Sequence, residues 1–348
     1  MSLHKSEELQ AKIGSIGVEL AFWCKESAAT RPWEKHHSQI IRLASQIDTA
    51  AARLSASLKA ATDAGTVLNE ARKLERMVID LHAVWEFFRA KFVIRGVAEL
   101  SSHLIVADEF AWACYKPALE RIDPLHREPP LTFFQSDSSP FALSRNHAFA
   151  SAINERLRSD DAIAMLKSLP IPVIAVPWFQ SRHLPDLLIV AHEVGHHVED
   201  LGLTADLLAA LVNVPHKEAW KSWAGEVFAD VFATLVCGPG FTTALIDFLA
   251  SSPATIEAET RTSGDYPTAY LRILVSVATL RCCNFAEEAK ELEKVWRDTY
   301  PAHAMRSYEA DCGIVAKAIL DRSYLGFKLP EVIAFDSDNQ TRAVAAAA

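Results

Sequence analysis

Residues 184–202 read Leu-Pro-Asp-Leu-Leu-Ile-Val-Ala-His-Glu-Val-Gly-His-His-Val-Glu-Asp-Leu-Gly, an apolar helical pattern that carries His192, Glu193 and His196 in His-Glu-x-x-His spacing. Pro185 suits a first helical position, Asp186 opposes the positive end of the helix dipole, and Gly202 can stop the helix after about four turns. At 3.6 residues per turn His192 and His196 point the same way and can grip one ion. Glu193, rotated by about 100°, can reach a water held there.

In a chain with 13 His among 348 residues, His-Glu-x-x-His arises by chance at roughly a few per cent, so a second element has to carry weight. It stands thirty residues on, in Trp223-Ala-Gly-Glu-Val-Phe-Ala-Asp230, where Glu226 and Asp230 are one helical turn apart on one face. The two motifs together resemble the gluzincin type of zinc metallopeptidase, over about fifty residues of the chain. That resemblance implies one Zn²⁺ held by His192, His196 and Glu226, with Glu193 as general base and Asp230 as the partner of a ligand histidine. The run Glu-Val-Phe-Ala-Asp-Val-Phe-Ala is also similar to the second helix of metallopeptidases that cleave phage-type repressors.

Competing assignments follow from the same helices. Glu199 shares the His192 face but sits about 4.5 Å beyond His196 along the axis, past the midpoint where an ion held by both imidazoles must lie. Glu218 is a weaker rival for the third ligand. A three-His site needs a glycine and a histidine where this chain has Glu199 and Gly202, and a Gly-Thr-x-Asp setting for an aspartate ligand is absent. His197 points about 100° away from His196, toward the helix surface or a supporting position. For contacts to a transition state or substrate the available groups are Tyr266, Tyr270, Arg272, His216 and His303. Tyr266 and Arg272 are preferred because they border a loop and open a helix, although an Arg in an apolar helix more often closes an ion pair.

At 50% hydrophobic and 23% charged residues the chain has the composition of a globular protein with two sizeable cores. A net charge of −9 without a basic patch argues against nucleic acid or an anionic membrane as partner. No uncharged apolar run reaches the roughly eighteen residues a membrane span needs, and the first residues lack an apolar signal core. Cys24, Cys114, Cys237, Cys282, Cys283 and Cys312 show no C-x-x-C spacing and lie in apolar helical stretches, as reduced thiols of a cytoplasmic chain would.

The expected fold class is mainly α: a four-helix bundle over 1–122, a zincin-like metallopeptidase domain with a small β element over 123–335, and a flexible tail over 336–348. The bundle rests on four heptad seams, Leu9-Ile13-Ile16-Leu20-Trp23, Ile40-Leu43-Ile47-Ala50-Leu54, Ala71-Leu74-Val78-Leu81-Trp85-Phe88-Phe92 and Val97-Leu100-Leu104-Ala107-Ala111-Cys114-Ala118. Breaks are expected at Arg31-Pro32, Asp63-Ala64-Gly65 and Arg95-Gly96, and His36 and His37 read as surface residues. The proline-rich stretch 123–158 reads as an irregular connection, or the lid or wall of a site, with a short helix near 161–168 after it. Ile171 to Pro177 reads as a strand that its prolines confine to an edge, where the resemblance would have it receive a peptide by strand addition. Helices are expected to follow from Thr204 to Leu211, from Pro215 through Asp230, to about Ala250, and over 268–283, 286–298 and 303–322, with 251–266 as a loop.

The function this implies is hydrolysis of a peptide or protein substrate by a metal-activated water. Two other readings use the same residues: a metal hydrolase acting on a non-peptide bond, and a zinc-stabilised scaffold whose bundle binds a protein partner. The scaffold has no use for Glu193, because structure needs ligands but not a base.

Overall fold

The computed structural model describes residues 2–29, 32–60, 64–122, 128–136, 141–142, 169 and 171–333; it is mainly helical with one small sheet. The expected helix at 161–168, most of the 123–158 stretch and the 336–348 tail fall outside these residues. The chain forms two compact units, Met1–Ile105 with Leu143–Pro172 and Val106–Ala142 with Val173–Ala348.

In the first unit α1 (Ser2–Ala29), α2 (His37–Ala60) and α3 (Ala64–Val93) pack on one another. Their seams are buried as the three-and-four spacing requires: Leu9, Ile16 and Leu20 from α1, Ile40, Leu43 and Ile47 from α2, Val84, Trp85 and Phe88 from α3. Trp23 meets Trp33 edge-on at 5.3 Å and Trp85 at 6.1 Å, and Trp33 Nε1 donates to the Phe92 carbonyl at 2.8 Å. His36 is a correction to the surface reading. It is buried, with Nδ1 2.7 Å from Gln39 Oε1, while His37 is half-buried and bonded to Ser27.

The four-helix expectation also changes. In α4 (Ala98–Ile122) the seam is buried from Leu104 onward, but Ala111, Cys114, Ala118 and Leu119 belong to the core of the second unit. An apolar stripe states that a face will be covered and not by which neighbour.

The second unit contains the sheet. β1 (Leu131–Gln135), β2 (Phe141–Ala142) and β3 (Val173–Pro177) lie in the order β1-β3-β2, with β1 parallel and β2 antiparallel to β3. β3 is therefore the central strand and not an edge. Pro172 and Pro177 stand just before it and at its last position, so the donors of Val173 to Val176 stay available to the ladder.

Two helices of this unit set the site. The predicted four-turn helix is in two parts, α5 (Leu184–Leu187) and α6 (Val190–Glu199). Between them Leu188 and Ile189 wind tightly, with ψ of −24° and i→i−3 bonds from Ala191 to Leu188 and His192 to Ile189. After α7 (Thr204–Ala210), the expected helix from Pro215 likewise divides at Trp223, into α8 (Lys217–Ser222) and α9 (Ala224–Cys237), which carries Glu226 and Asp230. Gly238, at φ 60°, ends α9, and Pro239 opens α10 (Pro239–Leu249). The predicted loop 251–266 holds a short α11 (Pro253–Ala258), and α12 (Ala269–Cys282), α13 (Ala286–Thr299), α14 (Glu309–Asp321) and α15 (Leu329–Ile333) complete the unit. No described helix is long and apolar enough to cross a membrane.

α9 is apolar nearly all round, with Val227, Phe228, Val231, Phe232 and Leu235 buried, each contributing about 1.5–3 kcal/mol by leaving water. Against it lies α6, at a distance fixed by Gly195. A Cβ built on Gly195 would stand 2.8 Å from the Ala229 Cα and 3.2 Å from its Cβ. Replacing Gly195 with Ala must push the helices apart, so Gly195→Ala should cost about 1–3 kcal/mol and weaken divalent-metal binding. Urea unfolding together with metal titration reads both, and a variant as stable and as tightly binding as wild type would refute the close-approach account.

Candidate metal centre

The α6–α9 contact brings together the residues that the two motifs nominated. His192 Nε2 and His196 Nε2 face one another at 3.2 Å. Glu226 spans the gap, with Oε2 3.3 Å from His192 Nε2 and Oε1 3.3 Å from His196 Nε2. Four-coordinate zinc with bonds of about 2.0–2.1 Å sets neighbouring ligand atoms about 3.3–3.4 Å apart, so these separations suit one small cation. Among the described residues this is the group of His, Cys, Asp or Glu side chains that converges in this way.

The surroundings orient the donors. Asp230, one turn after Glu226, places Oδ1 2.9 Å from Nδ1 of His192. The approach lies off the line of a well-formed hydrogen bond, as Nδ1 has no partner of good geometry, yet it favours a hydrogen on Nδ1 and so leaves the Nε2 lone pair for a metal. Behind it Arg272 of α12 forks onto Asp230, Nε to Oδ2 and Nη2 to Oδ1 both at 2.8 Å, and brings Nη1 to 3.5 Å from Glu226 Oε2. Phe241 of α10 lies parallel to the His192 ring at 6.5 Å. Glu226 Oε2 is buried without a hydrogen-bond partner. Its neighbours, His192 Nε2 at 3.3 Å and Arg272 Nη1 at 3.5 Å, approach without a well-formed hydrogen bond, so the oxygen keeps a lone pair to offer a cation, and the donor set fits a metal.

Electrostatics agrees with the geometry. Burial opposes charge on His192, but the carboxylates of Asp230 and Glu226 outweigh it and raise its pKa to about 10. Burial likewise opposes charge on Glu226, while His192 and His196 hold it well below the usual carboxylate range. Asp230 is held down in the same way, against burial, by Arg272 and His192.

The remaining nominees divide. Glu193 is buried, and its charge acts on both Arg272 and Tyr266. Tyr266 is 53% exposed, its phenol pushed up first by the charge of Glu226 and then by burial and Glu193. Arg272 is buried and engaged with Asp230 and Glu226, the ion pair that an Arg in an apolar helix more often makes. Glu199 stays outside the converging group; its oxygen lies 3.1 Å from where a Cβ on Gly225 would stand, and its carboxylate engages Thr204, the first residue of α7. Tyr270 stacks on His303, which in turn lies 2.5 Å from Glu309, and His216 pairs with Asp311. His197 is buried and donates from Nε2 to the Val173 carbonyl at 3.2 Å, tying α6 to β3. Neither that tether nor Phe241 has a spacing signal, because each depends on a distant element.

Since His192 carries a proton up to about pH 10 and a metal must displace it, divalent-metal affinity should tighten as pH rises from 6 to 9, by about tenfold per unit for one proton released. Calorimetric titration in buffers of different ionisation enthalpy counts that proton, and an affinity flat across this window would contradict the assignment. Comparison of the chain with protein-family models, with curated proteins and with solved structures gave no match.

Proposed function

We propose that the protein is a zinc-dependent peptidase with a zincin-like second unit, acting on a peptide or protein. The observation that carries this reading is the convergence of His192, His196 and Glu226 at separations of 3.2–3.3 Å, with an acid adjacent to the first ligand in sequence.

Zinc bound by these three side chains would supply a Lewis acid and lower the pKa of a water toward about 7. Glu193 accepts the proton of the attacking water and hands it to the leaving amine, and its burial keeps that proton from bulk solvent. Asp230 fixes the ring of His192, and Arg272 holds Asp230 with a two-pronged grip that Lys could not reproduce. Tyr266 is free to donate its phenolic hydrogen to the oxygen on which charge develops, a role for which its half-exposed place beside Glu226 and Glu193 suits it.

A scaffold would need the ligands and their supports but gains nothing from a buried Glu193 beside them. The isosteric change Glu193→Gln separates the two. It should keep stoichiometric zinc and an unchanged melting temperature while cleavage of a denatured-protein and peptide panel falls by about 10²–10⁴-fold. Natively purified protein without zinc, or a variant as active as wild type, would reject the peptidase.

A further inference from the structure

The first unit carries an apolar surface of its own. α1 buries Leu9, Ile13, Ile16, Leu20 and Trp23 where it packs with α2 and α3, yet its opposite face is not polar. Ala11, Gly14, Val18, Ala21, Phe22 and Ala28 stand exposed there, Val18 by 74% and Phe22 by 56%. With Lys25 they recur at steps of three and four, which sets them along one line of the helix. A helix that is apolar all round belongs inside an assembly. Here one side of it lies in solvent.

The charges of α1 leave this face clear along its middle. Lys12 pairs with Glu8 and with Glu75 of α3, and Glu19 with Arg89 of α3, so both are turned to the α3 flank and balanced there. On the α2 flank Gln10 exchanges hydrogen bonds with Ser55. Charge returns to the line only at its ends, with Glu7 ahead of Ala11 and Lys25 after Phe22, both exposed. The exposed His4 lies 3.6 Å from Glu7. At 3.6 residues per turn Glu7 and Lys25 are five turns apart, so they point the same way at a separation of about 27 Å.

Such a face is complementary to itself in one orientation. Two copies laid antiparallel set Glu7 of each beside Lys25 of the other, whereas two laid parallel would set like charge on like. The antiparallel register also puts Ala11 opposite Ala21 and Gly14 opposite Val18. Gly14 has room for that neighbour, because a Cβ built on it would meet nothing within 4 Å.

We propose that the protein forms a two-fold dimer in which the outer face of α1 packs antiparallel on the same face of a second copy of this chain; this does not depend on the metal reading. Sedimentation of the full-length chain should show a reversible monomer–dimer equilibrium. The contact is one helix wide, so its dissociation constant should be on the order of 10 µM. Val18→Glu, at a position the fold leaves in solvent, should weaken association about tenfold or more and leave the melting temperature of the dilute chain unchanged. Lys25→Glu should weaken it about five- to tenfold in low salt, since acid then meets acid at both ends, and adding Glu7→Lys should restore the wild-type affinity. The ring resonances of Phe22 in the wild-type chain should shift over the same concentration range, a readout free of any variant. A chain still monomeric at about twentyfold above that constant leaves the face to another protein or to solvent and overturns the proposal. So does an unmoved Phe22 ring, a dimer indifferent to Val18→Glu, which would use another surface, or a dimer that ignores Lys25→Glu or is not restored by the exchanged pair, which would not be antiparallel.

Discussion

The centre depends on the contact of Gly195 with Ala229. Two helices carry all the converging side chains, and the imidazoles of α6 meet the carboxylate of α9 only because the backbones touch where a side chain is missing. Everything else around the site supports that contact: the apolar girth of α9 surrounds it with buried surface, α10 backs His192 with Phe241, and β3 fixes α6 through His197.

A buried cluster with this much charge stands only if the charges close on one another. Asp230 and Arg272 form a pair that is neutral overall, so Asp230 can support His192 without adding net negative charge to the site. Glu226 is left with two imidazoles and the outer edge of the guanidinium. A divalent cation, if held there as proposed, would balance Glu226 and Glu193 and would let a water lose its proton to a carboxylate without building up charge in a poorly solvated space.

How far the sequence could be read follows from the range of the interactions. His192, Glu193 and His196 belong to one helix, and Glu226 and Asp230 to another, so helical periodicity alone aligns each set, and the structure brings His192 and His196 onto Glu226 and Asp230. The seams of α1 to α3 were legible for the same reason. Misreadings arose where a partner lies far away in the chain. The prolines around β3 resemble an edge signal, yet one precedes the strand and the other closes it, and strand order is set by β1 and β2. The fourth seam identified a face to be buried but not the core that receives it. His36 looked exposed because a polar residue at a helix start usually is, whereas Gln39 supplies it with a buried partner.

The placement of β3 in the middle of its sheet has one more consequence. Val173, which accepts from His197, is itself in register with Leu131, so α6 cannot roll about its own axis without disturbing a ladder anchored on both flanks. The orientation of the His192 and His196 rings is thereby coupled to strand pairing, and loss of their convergence and melting of the sheet become a single cooperative event.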